Sequence, residues 1–142
     1  MIIPDANVLI YAFRKELPQH ELASDWLRKA LAGGELIGLV VPVELAFLRL
    51  MTKPLGGLPA APWATAWAFI EALISVPNVR RIHAGSRHAS LFSSLCSNTG
   101  AGDGVTDLYI AALVLENHAT LISADKGFGR FQKLKWVNPF EL

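Results

Sequence analysis

The chain is 142 residues long, which allows one domain over residues 1–142 with a single substantial core. A formal net charge of +1 with 18% charged residues excludes a blanket electrostatic affinity for nucleic acid, so any nucleic-acid site must be local. The apolar share is 52% with a mean hydropathy of +0.36, a surplus that favours a dimer or a permanent partner.

No uninterrupted apolar run reaches the length of a membrane-spanning helix; the longest, Ala64 to Val76, is short and carries Glu71. The N-terminus lacks a basic region and has Asp5 inside its apolar run, which is not the pattern of a secretory signal. Cys96 is the single cysteine, so neither a disulfide nor a thiolate metal site is expected. A cytoplasmic protein is the simplest expectation.

The chain opens with Ile2-Ile3, read as a buried strand that stops at Asp5. Val8, Leu9 and Tyr11 to Phe13 begin a helix packed back onto it. Pro4 removes an N–H donor, so this strand must end early or lie at a bulge. Pro18 stands where a second helix could begin, and Leu22, Ala23, Trp26, Leu27, Ala30 and Leu31 share one stripe. After Gly33-Gly34, the run Leu36 to Val41 predicts a second buried strand. Val43 to Thr52 is helical and is stopped by Lys53-Pro54. Leu55 to Pro62 is a loop.

A further helix is predicted from Trp63 to Ser75, with Trp63, Trp67, Ile70 and Ile74 on its inner face. Val79 to His83 is a third strand, and Ser86 to Leu95 is helical, with Cys96 and Phe92 on one core-facing stripe. Ser97 to Gly104 is the most turn-rich segment. Val105 to Asn117 is the best-defined helix, and Thr120 to Ala124 the fourth strand. A short aromatic element follows at Phe128 to Phe131, with a possible edge strand at Lys135 to Val137. Strands alternating with helices in this way predict an α/β fold, a parallel sheet with helices on both faces.

Three carboxylates share a context. Asp5 and Asp125 each follow an apolar run, at the carboxyl end of a strand, where open α/β sheets bind ligands. Asp107 lies in the first turn of the helix after the glycine-rich loop, where the helix end favours an ionised acid. Each also has a plain structural reading: Asp5 as a helix cap, Asp107 as a helix-start acid, Asp125 as a turn former. In a doubly wound sheet, strand ends and helix N-termini share one edge, so all three can meet. Two carboxylates about 4 Å apart repel by roughly 4 kcal/mol at an effective dielectric near 20. A hard divalent cation removes that conflict, and an all-oxygen set suits Mg²⁺ or Mn²⁺. The matching chemistry is metal-assisted hydrolysis of a phosphate ester.

The segments Asp5-Ala6-Asn7-Val8-Leu9, Thr106-Asp107-Leu108-Tyr109-Ile110-Ala111-Ala112 and Ile122-Ser123-Ala124-Asp125-Lys126-Gly127-Phe128 resemble the three acidic motifs of PIN-domain ribonucleases. The likeness is greatest to the bacterial VapC-type toxins. Phe47-Leu48-Arg49-Leu50-Met51-Thr52 and the closing Phe131 to Pro139 segment resemble one branch of them. The resemblance implies a three-layer α/β/α nuclease domain with a central parallel sheet of four to five strands. It also implies a homodimer, RNA as substrate, and a VapB-type antitoxin that occupies the active-site groove and carries any contact with operator DNA. Asp5, Asp107 and Asp125 match the family's acidic positions, and Asn7 and Ser123 match small polar positions beside them.

One departure concerns a glutamate that the family usually has in the helix after the second strand. Here that place falls nearest Ala46, and the acid at hand is Glu44, two residues earlier. Two residues turn a side chain by about 200° round a helix, which would face Glu44 away from the site, whereas a Val43-Glu44 that precedes the regular helix lets it reach. Glu44 therefore stands as a fourth candidate catalytic acid beside Asp5, Asp107 and Asp125. A catalytically inactive PIN-fold binding module is the alternative this departure raises. Among the rest, His20, His83, His88 and His118 show no paired ligand spacing, and Asp103 between two glycines reads as loop or cap. Arg14, Lys15, Arg49, Lys53, Lys126 and Arg130 are candidates for holding phosphates.

Overall fold

The computed structural model describes residues 1–141 and, within that span, every side chain except that of Asp103. The backbone at Asp103 belongs to a short 3₁₀ turn, Gly102–Gly104, in keeping with the loop reading. The strands are β1 (Ile2–Pro4), β2 (Ile37–Val40), β3 (Val79–Ile82), β4 (Thr120–Ile122) and β5 (Trp136–Val137). The helices are α1 (Ala6–Phe13), α2 (His20–Ala32), α3 (Val41–Met51), α4 (Trp63–Ile74), α5 (His88–Thr99) and α6 (Val105–Glu116). All sheet pairings are parallel, in the order β3-β2-β1-β4-β5. No helix among the described residues is long and apolar enough to cross a membrane.

The order dictates where helices lie. From β1 to β3 the chain moves one way across the sheet, and from β3 it returns past β1 to β4. Right-handed crossovers therefore put α1 to α4 on one face and α5 and α6 on the other. The contacts agree: α1 packs on α2 and α3, α3 on α4, and α5 on α6. The strand order reverses beside β1, which makes its carboxyl end the switch point of the sheet.

Pro4 opens that point further. Ile2 N donates to Leu36 O on the β2 side, and Asp5 N donates to Ile122 O on the β4 side. Alternation turns the Pro4 nitrogen, which has no hydrogen, toward β2. The β1–β2 register ends at Ile2↔Ile37, whereas β1–β4 continues to Pro4↔Ile122. The expected early end is thus confined to one side of the strand.

The core is built from Ile3, Leu39, Val40 and Leu121 of the sheet with Leu9, Phe47, Met51, Ile70, Leu108 and Leu113 of the helices, all fully buried. Two apolar faces differ from expectation. Leu22 is 59% exposed and Trp63 58% exposed, while Ala23 and Leu27, and Ala66, Ile70 and Leu73, take the buried positions. Trp63 stacks instead on Trp67, with ring centres 5.8 Å apart, at the outer start of α4. α5 also runs further than expected. The Ser97 and Thr99 hydroxyls donate to the carbonyls of Ser93 and Leu95 one turn back, so these residues extend the helix until Gly100, at φ 72°, ends it.

Gly38 marks the tightest packing of the sheet. A Cβ there would lie 2.8 Å from Ile82 Cγ1 and 3.0 Å from Ile3 Cγ1. Gly38→Val should therefore overpack β2 and cost about 1–3 kcal/mol, seen as a melting temperature several degrees lower by circular dichroism. An unchanged melting temperature would show that the strands part more easily than this packing implies.

Candidate active site

The register of β1 and β4 builds the site. Because Pro4 lies opposite Ile122, the next residues, Asp5 and Ser123, emerge side by side at the carboxyl end of the sheet. Asp5 is the N-cap of α1, and its Oδ1 accepts from Ala6 N at 2.7 Å. Its Oδ2 accepts from the Ser123 hydroxyl at 2.7 Å and from Asn7 Nδ2 at 2.8 Å. The cap and the site are therefore the same carboxylate. Asn7 also donates to Ser123 Oγ at 3.0 Å and accepts from Ala124 N at 3.1 Å, while Ser123 Oγ accepts from Asp125 N at 3.0 Å. The end of β1 and the end of β4 are laced together around one buried acid.

Asp125 caps the 3₁₀ turn Lys126–Arg130, its Oδ1 accepting from Gly127 N at 2.7 Å. Asp107 stands half-buried in the first turn of α6 and accepts no hydrogen bond among the described residues. Burial pushes the Asp5 carboxyl above the ordinary carboxylate value; the bonds from Ser123 and Ala6 oppose this, and the charges of Asp107 and Asp125 add to it. Asp107 is raised by its own burial and then by Asp125, with Arg130 pulling the other way. Asp5 thus feels the charges of Asp107 and Asp125, and Asp107 that of Asp125, so the three aspartates lie within electrostatic reach of one another. Among the described residues, no three histidine, cysteine, aspartate or glutamate side chains stand close enough together to hold a metal ion as a set. Among the described residues, both Asp107 carboxylate oxygens and Asp125 Oδ2 accept no hydrogen bond from a protein donor. An all-oxygen, incompletely closed set fits a cation that keeps several waters and takes only one or two carboxylates, as Mg²⁺ does.

Glu44 is placed differently. α3 begins at Val41, earlier than expected, so Glu44 lies inside the regular helix. It is buried and paired with Arg81 of β3, Oε1 to Nε at 2.8 Å and Oε2 to Nη2 at 3.4 Å. It is not among the charges that act on Asp5 or Asp107. The partnership with Arg81 was missed from the sequence. The signal for it is the pair Arg80-Arg81 inside a short strand, cations that need partners or solvent.

The candidate phosphate-binding cations also separate. Arg14 is 6% exposed, with Nη2 bound to the carbonyls of Pro59 at 2.8 Å and Met51 at 3.4 Å, so it ties the α3–α4 loop rather than facing a substrate. Lys126 pairs with Glu141 at 2.8 Å. Arg130 lies beside the acids. Next to α6, a groove of about 540 Å³ is lined by Val41, Leu45, Arg49, Phe92, Val105 and Tyr109, among others. His88 is buried against Phe92 and Tyr109 and serves the packing of α5 on α6.

The PIN domain family model matches residues 2–134. Ribonuclease VapC43 of Mycobacterium tuberculosis is 36% identical over 143 residues, spanning 99% of this chain and 97% of that protein. Ribonuclease VapC33 of the same organism is 37% identical over 140 residues, 98% of each. In fold, the chain is similar to VapBC2 from Rickettsia felis bound to a DNA fragment from its promoter, with a TM-score of 0.72 at 18% identity over 97% of this chain and 98% of that one. It is also similar to Mycobacterium tuberculosis VapC20, described as a sarcin-ricin loop cleaving toxin, with a TM-score of 0.61 at 13% identity over 95% and 99% of the two chains. With a parallel sheet whose switch point gathers Asp5, Asp107 and Asp125, and with relatives aligned along its full length, this chain belongs to the PIN-domain family, on its VapC branch.

Proposed function

We propose that the chain is a Mg²⁺- or Mn²⁺-dependent endoribonuclease, the toxin of a toxin–antitoxin pair, that hydrolyses RNA phosphodiester bonds. The observation that supports this reading is the placement of three acids at the carboxyl edge of the sheet: Asp5 after β1, Asp125 after β4 and Asp107 in the first turn of α6. Asp5 and Asp107 would hold the ion, with Asp125 beside them, and the bound ion would supply activation of a water and stabilisation of charge on the phosphate. Ser123, Asn7 and Ala6 N hold Asp5 in place and favour its charged form, and Asp125 Oδ2, unbonded among the described residues, would accept a hydrogen bond from the attacking water. Glu44 acts through Arg81, not on the ion.

A VapB-type antitoxin is the partner this reading supplies, covering the pocket and carrying the contact with operator DNA. A second copy of the chain is the other partner. Val41, Leu45 and Val105 are 41%, 61% and 42% exposed beside the apolar groove, a surface that water leaves unsatisfied. One observation favours a second reading, an inactive PIN-fold binding module: Glu44 is committed to Arg81, leaving the pocket one acid short of the family's usual set. Absence of RNA cleavage at any Mg²⁺ or Mn²⁺ concentration would select it.

Asp107→Asn should reduce cleavage of an RNA pool by at least about 100-fold without unfolding the chain, and excess EDTA should do the same to the unaltered protein. Full cleavage in either case would defeat the metal-dependent reading. Stability should show the opposite sign. Carboxyls raised above their unfolded value near 3.9 bind protons more readily in the folded state, so metal-free stability is fullest below that value and declines as pH rises through the raised pKa values. At pH 7 in EDTA, Asp107→Asn should therefore melt a few degrees higher than the parent, and the gap should close near pH 4 or on adding Mg²⁺. Leu45→Glu should convert a dimer to a monomer in light scattering; an unchanged mass would move the self-contact elsewhere.

A further inference from the structure

Arg130 ends the 3₁₀ turn that Asp125 caps, and it is exposed. Its guanidinium carbon lies over the Phe131 ring, 4.5 Å from the ring centre, within reach of a cation–π contact. A Cβ built at Gly104, the N-cap of α6, would lie 3.4 Å from Nη2, and one at Gly127 would lie 3.3 Å from Nη1. The guanidinium therefore sits between the residue that starts the helix of Asp107 and the residue whose N–H holds Asp125. Absent side chains on both sides leave it room.

Arg14 is bound to carbonyls of the α3–α4 loop, Arg81 to Glu44 and Lys126 to Glu141, and the cation that acts on Asp107 is Arg130. Arg130 forms no ion pair and donates no hydrogen bond among the described residues. A planar group with five donors that lies over an aromatic ring and has no partner among the described residues is suited to bidentate contact with a phosphate. A polyanion approaching three carboxylates also needs a cation at the rim to offset their repulsion.

We propose that Arg130 binds the RNA phosphate presented to the acidic pocket, as a substrate-contacting residue; the inference rests on the ribonuclease reading above. The rival role is a counter-ion to Asp107 that never touches RNA. The two separate in a pair of measurements on the full chain. In the first, a mixed-sequence single-stranded RNA is cleaved with Mn²⁺ by the parent, Arg130→Ala and Arg130→Lys. In the second, binding of the same RNA to Asp107→Asn, with and without Arg130→Ala, is followed by fluorescence polarisation between about 50 and 200 mM salt.

Phosphate contact predicts a KM raised about tenfold in Arg130→Ala with a smaller change in kcat, and partial rescue by lysine. It also predicts weaker binding by Asp107→Asn/Arg130→Ala, with the slope of log K against log salt flattened by about 0.7. An unchanged KM and slope, with only the pH profile or Mn²⁺ requirement shifted, would assign the counter-ion role and overturn the proposal. A parent that cleaves while Arg130→Ala matches it overturns this inference alone. A parent that neither cleaves nor binds RNA removes the ribonuclease reading and this inference with it. Equal melting temperatures across the variants would exclude misfolding as the cause of any loss.

Discussion

Asp5 is subject to opposed demands, and the architecture follows from how they are met. Its backbone continues a buried strand, and its side chain starts a buried helix, so the carboxylate is withdrawn from water. Burial of a charge without hydrogen bonds would neutralise it. Ala6 N, Asn7 and Ser123 supply three donors, and two of these exist only because of Ser123's register with β1 or Asn7's place as the second residue of α1. A slip of one residue between β1 and β4 would turn Ser123 to the other side of the sheet and leave the acid without its hydroxyl.

The pocket that results is electrostatically uncomfortable by design of its chemistry. Asp107 and Asp125 add charge to an acid already raised by burial, and the described residues return only Arg130 as a nearby offset. Local rules are broken where function is placed, and the stability lost there is made up by the packed core around Phe47, Leu9 and Leu121. The switch point of the sheet adds the space. Strand order reverses beside β1, and Pro4, lacking a hydrogen to donate toward β2, lets that ladder end before the β4 ladder does. A single imino acid thus helps keep the crevice open on the side away from Ser123.

The basic residues show how misleading proximity in sequence can be. Arg14 and Lys15 are neighbours just past the first helix, yet Arg14 is consumed by loop carbonyls contributed from Met51 and Pro59. Lys126 and Arg130 lie on the same short turn, yet one is paired with Glu141 and the other faces the acids. Side-chain charge is a property of the residue, whereas its availability is a property of the fold.

What the sequence by itself determined was local and periodic. Apolar runs marked β1, β2 and β4 within a residue or two, and the acids at the ends of Ile2-Ile3 and Leu121-Ile122 were legible because strand length and topology fix which edge they share. Helix faces were legible less surely, since a stripe of apolar residues is wider than the area a neighbour covers; Leu22 and Trp63 stayed outside it. The tertiary structure alone decided the partners of Glu44 and Arg14 and the choice of Ser123 as the second anchor of Asp5. Each depends on a group 37 or more residues away, brought near only when the sheet assembles. Pairing energies of that kind act between atoms, and a linear pattern carries no record of which atoms will meet.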